Sequence, residues 1–186
     1  DVPMLAGWVT GDGSLGNAPK ITTTEYTANS VKNYGEKSAA HLKLVPGRTD
    51  EEALSSMIKL RMIGFAVLPA ILVAEANDSP VFIYEFDHVP TDKPGFPNYG
   101  AFHTAEVPFA LHTLHTWDRP WKQIDFQMQD IMSAYWINFI KSGDPNGKGL
   151  GKWKAYDLKK KNVLQLNTKP KGKAKLHADK IDFLRK

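Results

Sequence analysis

Two short runs of the chain, residues 2–9 and residues 81–86, are apolar almost throughout. Strands that are covered on both faces have this composition, and the second run is also rich in β-branched and aromatic side chains. Both runs therefore predict buried β-strands. A third and weaker run at residues 163–166 predicts an edge strand.

Helical spacing dominates most of the sequence between these runs. Capping boxes at 22–25 and 49–52 predict a helix to Asn33 and a second helix over 53–76, with a break near Pro69. Further helices are predicted at 36–44, 106–115 and 122–142. The last of these is the strongest, because its apolar residues recur at helical intervals: Ile124, Met128, Ile131, Tyr135 and Phe139.

The order of these elements favours an α/β fold, in which helices cover a sheet. The chain has 186 residues, of which 42% are hydrophobic and 24% are charged, so it is long and apolar enough for one domain with a sizeable core. Three predicted strands are too few for a self-sufficient parallel sheet. The pattern therefore predicts that part of the sheet is missing from this sequence.

Charge and composition narrow the possible partners. The chain has no cysteine, which excludes disulfides and thiolate metal sites, and much of its net charge of +4 comes from lysines at 159–161 and 169–175. A basic tail can bind nucleic acid or an anionic surface, but no aromatic residues interleave these lysines, which favours a solvated terminal segment at 167–186. The apolar run at 62–74 is too short to predict a membrane span, and the start at Asp1 resembles a start inside a domain.

The residues best suited to chemistry are Asp12 and His103. Asp12 lies in a glycine-rich loop, residues 10–16, after the first predicted strand, and His103 follows the second strand across a long loop. Sites in open α/β sheets gather outside the carboxyl ends of the strands. A carboxylate there can hold one nitrogen of an imidazole while the other takes a proton from a nucleophile. The chain has 20 acidic residues and 6 histidines, so on physical grounds this pairing is one among many.

Two other motifs are weaker. His112 and His115 stand at i and i+3 on a predicted helix, a spacing that metal ligands use, but no third ligand has an obvious position. We therefore predict no metal site. The glycine-rich loop lacks the order of a dinucleotide-binding motif and has no phosphate-binding lysine, so a phosphate site is not favoured either.

Five segments of the chain, in order, resemble the C-terminal third of the type-B carboxylesterases, the family that includes cholinesterases and bacterial para-nitrobenzyl esterases. They are the strand and acid loop at 2–7 and 11–14, the strand at 80–88, the histidine motif at 100–109, and the closing helix and turn at 135–146 with 153–156. The resemblance implies that residues 1–166 are the C-terminal part of one α/β-hydrolase domain, with the last strands of its sheet and a closing helix. Residues 18–76 would be helical and lie near the active-site gorge.

The resemblance also implies roles for individual residues. His103 would be the general base and acid, Asp12 the acid that orients it, and Glu106 a support behind the pair. Glu106 has an alternative role as an acid at a helix N-terminus. Phe65, Leu68 and Phe102 are the candidates for contact with substrate, although core packing also accounts for such residues. No cofactor is implied.

One motif of the family is absent from the sequence. There is no Gly-x-Ser-x-Gly nucleophile elbow, so the serine and the oxyanion donors would come from an N-terminal portion of the same enzyme. We expect a serine carboxylesterase acting on a small-molecule ester, inactive without that portion, with no nucleic-acid or membrane partner. A secreted or periplasmic location is the weak expectation. The alternative is a non-catalytic, cholinesterase-like adhesion module.

Overall fold

A computed structural model describes residues 1–14 and 20–185 of the chain. Residues 15–19 and 186 lie outside this description, and with them Gly16 of the predicted loop, the first two positions of the predicted helical region 18–76 and the last residue of the predicted tail. All statements below concern the described residues.

The sheet has four strands in the order β1-β2-β3-β4, namely Met4–Val9, Val81–Phe86, Asn162–Leu166 and Lys171–Ala174. β1 pairs in parallel with β2, β2 pairs in parallel with β3, and β4 is antiparallel to β3. The pairing of β1 with β2 is complete, from Met4 opposite Val81 to Val9 opposite Phe86. The loops that follow β1 and β2 therefore leave the sheet from the same edge.

Seven α-helices accompany the sheet in the described residues. Their bounds, α1 to α7, are Thr23–Tyr34, Ser38–Leu44, Asp50–Met62, Leu68–Ala76, Val107–Ala110, Gln123–Ser142 and Ala178–Leu184. Short 3-10 helices lie at Gly35–Lys37 and Leu114–Thr116, and a π-helical segment, Ile63–Val67, joins α3 to α4. The predicted capping box begins α1: the Thr22 hydroxyl accepts from Glu25 N–H, and the Glu25 carboxylate accepts from Thr22 N–H.

Successive side chains of β2 point to opposite faces of the sheet, and a separate hydrophobic core packs on each face. Phe82, Tyr84 and Phe86 face α6 and its buried Met128, Met132 and Tyr135, together with Trp153. Val81 and Ile83 point to the other face, where the π-helical segment, α4 and α7 supply Ile63, Val67, Ile71 and Ile181. Every residue of β2 is buried, as the sequence predicts for a strand covered on both faces.

Residues Asp50–Ala76 form one continuous helical stretch through α3, the π-helical segment and α4. Pro69 has no N–H to donate and sits in the first turn of α4, so the predicted break takes the form of the π-helical turn just before it. By length and composition alone, the stretch Asp50–Ala76 could cross a membrane. The apolar run at 62–74, on which the sequence-based prediction rested, is too short to do so. Such a helix is weak evidence for a span, and here its buried residues pack against the sheet.

The predictions for the C-terminal region were wrong in two respects. Residues 163–166 belong to β3, which is an inner strand, because β4 covers its far side. Residues 167–186 are not simply a solvated terminus: they supply β4 and α7, and Ile181 of α7 is buried in the second core. Lysines at alternate positions of β4 suit an exposed edge strand, because charged side chains discourage pairing with another chain. The same lysines had suggested a tail.

The helix predicted for residues 106–115 is also shorter in the structure. α5 has only four residues, and His112 adopts a left-handed conformation with φ of 58°. The chain then turns back, with Thr113 N–H donating to the carbonyl oxygen of Pro108. This turn separates His112 from His115, which lies in the following 3-10 helix, so the two histidines do not share one helical face.

Burial of Ile181 predicts that α7 contributes to global stability. Ile181→Ala should lower the free energy of unfolding by about 2–4 kcal/mol, because it leaves a cavity in the second core. Lys171→Ala, on the exposed edge strand, is the matched control and should change it by less than about 0.5 kcal/mol. Urea denaturation followed by circular dichroism measures both. Equal effects of the two substitutions would contradict the packing of α7 described here.

Candidate active site

Asp12 follows β1 in a tight turn that buries its side chain. Its Oδ2 accepts a hydrogen bond from Val9 N–H at 3.0 Å, and its own N–H donates to the Val9 carbonyl oxygen at 3.1 Å. Only 6% of the residue is exposed. The carboxylate is therefore fixed by the end of the strand, and Oδ1 remains available for a second partner.

That partner is His103. Its Nδ1 lies 2.7 Å from Asp12 Oδ1, although the two residues are 91 positions apart in sequence. The other ring nitrogen, Nε2, makes no hydrogen bond to any described residue, and the His103 side chain is about half exposed. The ring is thus held from one side and open on the other, which is the arrangement that a general base requires.

A glycine allows the acid loop and the histidine loop to approach each other. Gly11 N–H donates to the Ala101 carbonyl oxygen at 2.8 Å, and Gly11 forms a parallel bridge with Phe102. A Cβ atom at Gly11 would collide with that same carbonyl oxygen. The bridge extends the β1–β2 edge beyond the sheet and brings Asp12 within reach of His103.

The backbone immediately after His103 is unusual. Thr104 has a φ of 69°, a left-handed conformation that β-branched residues rarely adopt. Ala105 N–H closes the turn by donating to the Phe102 carbonyl oxygen at 2.9 Å. Strained residues of this kind cluster at functional sites, where the surrounding structure enforces them. Here the strain lies in the turn that directs His103 toward Asp12.

Glu106 lies behind the pair and carries a second acidic group. Burial raises the pKa of Glu106 above its ordinary value, and the nearby charge of Asp12 adds to this effect, whereas its own backbone hydrogen bond and His103 oppose it. Its Oε2 is buried and makes no hydrogen bond among the described residues. Glu106 is the N-cap residue of α5 and makes no side-chain capping hydrogen bond, so its support of the pair and the alternative, an acid at a helix N-terminus, both stay predictions.

The three residues predicted to contact substrate lie in different surroundings. Phe65, in the π-helical segment, is 60% exposed, and its ring lies edge-on to His103 with centroids 6.3 Å apart. Leu68 is partly buried against the second core, and Phe102 is partly buried against the first. The Arg119 guanidinium also lies over the Phe102 ring, 5.8 Å from its centroid. Of the three, Phe65 is therefore the one that the structure sets beside the histidine.

Other titratable pairs were not foreseen from the sequence. Glu85 of β2 is buried and accepts hydrogen bonds from Trp8 Nε1 at 2.8 Å and His177 Nε2 at 2.7 Å. Burial acts to raise the pKa of Glu85, but these two hydrogen bonds together with the charges of His177 and Lys59 outweigh it, so the pKa is lowered. A carboxylate in the middle of an apolar strand is the sequence signal that could have indicated a buried partner.

A similar network lies at the start of α6, and a third pair lies among the helices. Asp125 is fully buried and accepts from His88 Nε2 at 2.9 Å and from Thr91 N–H at 3.2 Å. Ser30 and His41 form a buried hydrogen-bonded pair between α1 and α2. His112, by contrast, contacts Asp130 near the surface, and no cluster of three potential metal ligands occurs in residues 1–14 and 20–185.

The chain is similar in sequence to known hydrolases. The model of the carboxylesterase family matches residues 15–184. The chain is 33% identical over 125 residues to the cocaine esterase of Homo sapiens, covering 64% of this chain and 22% of that protein. It is 32% identical over 148 residues to the acylcarnitine hydrolase of Rattus norvegicus, covering 74% and 26%. The chain thus spans about a quarter of the length of these relatives.

The fold agrees with solved structures of the same kind. Two structures of PNB esterase superpose with a TM-score of 0.71 at 22–23% sequence identity, covering 97–98% of this chain and 37–38% of theirs. Both the α/β-hydrolase fold and the resemblance stated from the sequence are confirmed. Since the family model covers nearly the whole sequence, the chain belongs to the carboxylesterase family.

Proposed function

We propose that this chain supplies the acid and the histidine of a Ser-His-Asp triad that hydrolyses carboxylic esters. The observation that carries the proposal is the hydrogen bond of 2.7 Å between Asp12 Oδ1 and His103 Nδ1, while Nε2 makes no hydrogen bond to residues 1–14 and 20–185. The sequence has no Gly-x-Ser-x-Gly elbow, so the serine and the oxyanion donors come from an N-terminal portion of the same enzyme. That portion is the partner that we infer, and a small-molecule ester is the substrate.

The reaction follows two acyl-transfer steps. The serine attacks the ester carbonyl while His103 Nε2 takes its proton, and the imidazolium then gives this proton to the departing alcohol. A water molecule, activated by His103 in the same way, then attacks the acyl-enzyme and releases the carboxylic acid product. Throughout, Asp12 Oδ1 keeps the Nδ1 proton in place and stabilises the imidazolium. The half-exposed face of His103 is where both proton transfers occur.

The free edge of β1 supports the proposal that an N-terminal portion of the enzyme packs against this chain. Within the described residues, β1 pairs only with β2, so apart from Val9, which is bonded to Asp12, the other side of β1 carries backbone groups without a strand partner. Such an edge is a ready template for a further strand. Residues around it are also apolar and exposed, among them Val2 at 69%. A parallel strand from the N-terminal portion would pair with these groups and bring its serine toward His103.

Glu106 has a part in this proposal as an electrostatic support. Its charge lies close enough to His103 to influence it, and its buried Oε2 lacks a partner in the described chain. When ionised, Glu106 adds to the field that stabilises the imidazolium; when protonated, it does not. We therefore infer that Glu106 tunes the reaction without touching the substrate. A non-catalytic adhesion module would not need Asp12, His103 and Glu106 to lie beside one another.

The catalytic pair predicts a large loss of activity when either member is changed. With the N-terminal portion co-expressed, Asp12→Asn and His103→Gln should each lower kcat on a short para-nitrophenyl ester by about three to four orders of magnitude, because the imidazole loses its orientation or is absent. The matched control is His115→Gln, which makes the same substitution at an exposed histidine and should leave kcat unchanged. Steady-state hydrolysis measures all three.

A labelling experiment separates the esterase from the adhesion module. A fluorophosphonate should label the N-terminal portion of the assembled enzyme and not this chain, and the rate should fall in the His103→Gln variant. If the assembled protein shows no labelling and no burst of nitrophenol, the esterase proposal fails and the adhesion alternative stands.

Glu106 predicts a pH dependence of stability. An acid whose pKa is raised in the folded state binds its proton more tightly there, so it stabilises the fold below the ordinary glutamate pKa. That stability is lost as the pH rises from the ordinary value through the raised one. Glu106→Gln should therefore flatten the decrease of unfolding free energy with pH in this window, measured by urea titrations at several pH values. Glu36→Gln, on the exposed surface, should reproduce the wild-type slope.

Phe65 predicts an effect on substrate binding. Phe65→Ala removes an exposed ring beside His103 and should raise KM for an aromatic ester by about three- to tenfold, as expected for the loss of one aromatic contact. The exposed ring contributes little to the core, so the unfolding free energy should change little. Leu68→Ala should show the opposite pattern, with lower stability and a smaller change in KM. A KM unaffected by Phe65→Ala would remove this residue from the substrate site.

A further inference from the structure

The loop that carries His103 has little structure of its own. Residues 87–101, between β2 and the bridge at Phe102, form no helix or strand. A general base must nevertheless be held close to its productive position, because a small displacement of the reacting groups slows the reaction strongly. Contacts from outside the loop must therefore fix it. Two of them, near its start and at Phe102, are joined by one side chain, that of Arg119.

The start of the loop is anchored on α6 by Asp125. This carboxylate is fully buried and accepts hydrogen bonds from His88 Nε2 at 2.9 Å, from Thr91 N–H at 3.2 Å and from the Thr91 hydroxyl. It also accepts from Lys122 N–H at 2.9 Å, which fixes it to the first turn of α6. Burial acts to raise the pKa of Asp125, but the hydrogen bonds from these three residues outweigh it, so the pKa is lowered. The charged carboxylate thus holds Thr91 in a defined place beside α6.

Arg119 connects this anchor to the histidine motif. Its guanidinium donates a hydrogen bond from Nη1 to the Thr91 carbonyl oxygen at 2.6 Å. The same group lies over the Phe102 ring, 5.8 Å from its centroid, and over the Trp121 ring at 5.6 Å. A guanidinium within about 6 Å of an aromatic centroid is attracted by the ring face. Phe102 is the residue directly before His103. One side chain therefore links Thr91 to the neighbour of the base.

The contacts of Arg119 leave its charge directed at these partners. Its side chain pairs with no carboxylate within residues 1–14 and 20–185. Its N–H donates to the Trp117 carbonyl oxygen at 2.9 Å, and Trp121 N–H donates to its carbonyl oxygen at 2.8 Å. Trp121 is itself fixed, because its Nε1 donates to the Leu114 carbonyl oxygen at 2.7 Å. The guanidinium therefore extends from a well-defined backbone, as a residue that positions another one must.

Phe102 is also the point where the two loops of the site meet. It forms the parallel bridge with Gly11, and its carbonyl oxygen accepts from Ala105 N–H at 2.9 Å. These bonds fix its backbone, while the cation over its ring restrains its side chain. A shift of Phe102 would carry His103 with it, away from the Asp12 oxygen that lies 2.7 Å from Nδ1.

We propose that Arg119 is a positioning residue for His103. By joining the ring of Phe102 to the anchored carbonyl group of Thr91, it restrains the segment that holds the imidazole against Asp12. Arg119 acts through Phe102 and does not contact the reacting atoms. Its effect on catalysis rests on the proposed esterase function, whereas its effect on the order of the histidine motif is a property of this chain alone.

Amide hydrogen exchange of the full 186-residue chain tests the restraint. The reporters are Gly11 and Ala105, whose N–H groups bond to carbonyl oxygens of the histidine motif. Arg119→Met keeps a long apolar side chain and removes the charge and the donors. It should make both amides exchange about tenfold faster, as expected for local opening after loss of a charge-assisted contact, and leave the amides in the middle of β2 and α6 unchanged. Arg61→Met, at an exposed arginine of α3, is the matched control and should alter none of these rates.

Kinetics of the enzyme assembled with its N-terminal portion test the consequence. Arg119→Met should lower kcat on a short para-nitrophenyl ester by about ten- to a hundredfold and change KM by less than about twofold, because a misplaced base slows the chemical step and not binding. Arg119→Lys keeps a charge near the ring and one donor, so it should recover part of the loss. Arg61→Met should leave kcat unchanged.

A double-mutant cycle tests the route through the ring. Phe102→Leu keeps an apolar side chain and removes the aromatic face. In this background Arg119→Met should change kcat and the two exchange rates by less than about twofold, because the contact is already gone.

The proposal is overturned if Gly11 and Ala105 exchange in Arg119→Met as in the wild type, or if exchange accelerates equally throughout β2 and α6, which a general loss of stability would cause. It is also overturned if the effects of Arg119→Met and Phe102→Leu multiply. If the assembled wild type does not hydrolyse the ester, the proposed function fails instead, and the exchange rates still decide whether Arg119 restrains the histidine motif.

Discussion

The parallel pairing of β1 with β2 is the constraint on which the rest of this structure depends. It sets the ends of the two strands side by side, Val9 opposite Phe86, so that the loops after them begin at one edge of the sheet. The hydrogen bond from Gly11 N–H to the Ala101 carbonyl oxygen then continues the pairing into the loops. Without this register, Asp12 and His103 would be two polar residues 91 positions apart with no reason to meet.

The sequence predicts most of the helices and strands and the pairing of Asp12 with His103, but for different reasons. Strong periodicity predicts α6 and β2 directly, since packing and local preference agree there. Asp12 and His103 could be chosen from many acids and histidines only because ordered motifs resemble a known family. The C-terminal segment was misjudged because lysines suit both a solvated tail and an edge strand, and only the antiparallel pairing to β3 distinguishes the two.

The buried polar pairs escaped prediction because their partners are set by tertiary contacts. Glu85 meets His177 across 92 positions, and nothing local in either segment indicates the other. Ser30 and His41 are nearer in sequence, yet their contact depends on the turn between α1 and α2. α3 links this helical region to the acid loop, because Gly13 packs so closely on the Ile58 carbonyl oxygen that a side chain would not fit. One helix, α3, therefore borders both the acid loop and the helices that hold the Ser30–His41 pair.

The two edge strands of the sheet, β1 and β4, differ in the charge of their side chains. At β4 the alternate lysines, Lys171 and Lys173, surround the unpaired backbone with positive charge, and a copy of the same strand would meet like charges. The side chains of β1, Met4–Val9, carry no charge, and the nearest carboxylate, that of Asp12, engages the backbone only at Val9, the last residue of the strand. Pairing with a further strand is thus discouraged at β4 and open at β1. The fold therefore has one edge suited to a further strand, at β1, and one edge protected from a second copy of the chain, at β4.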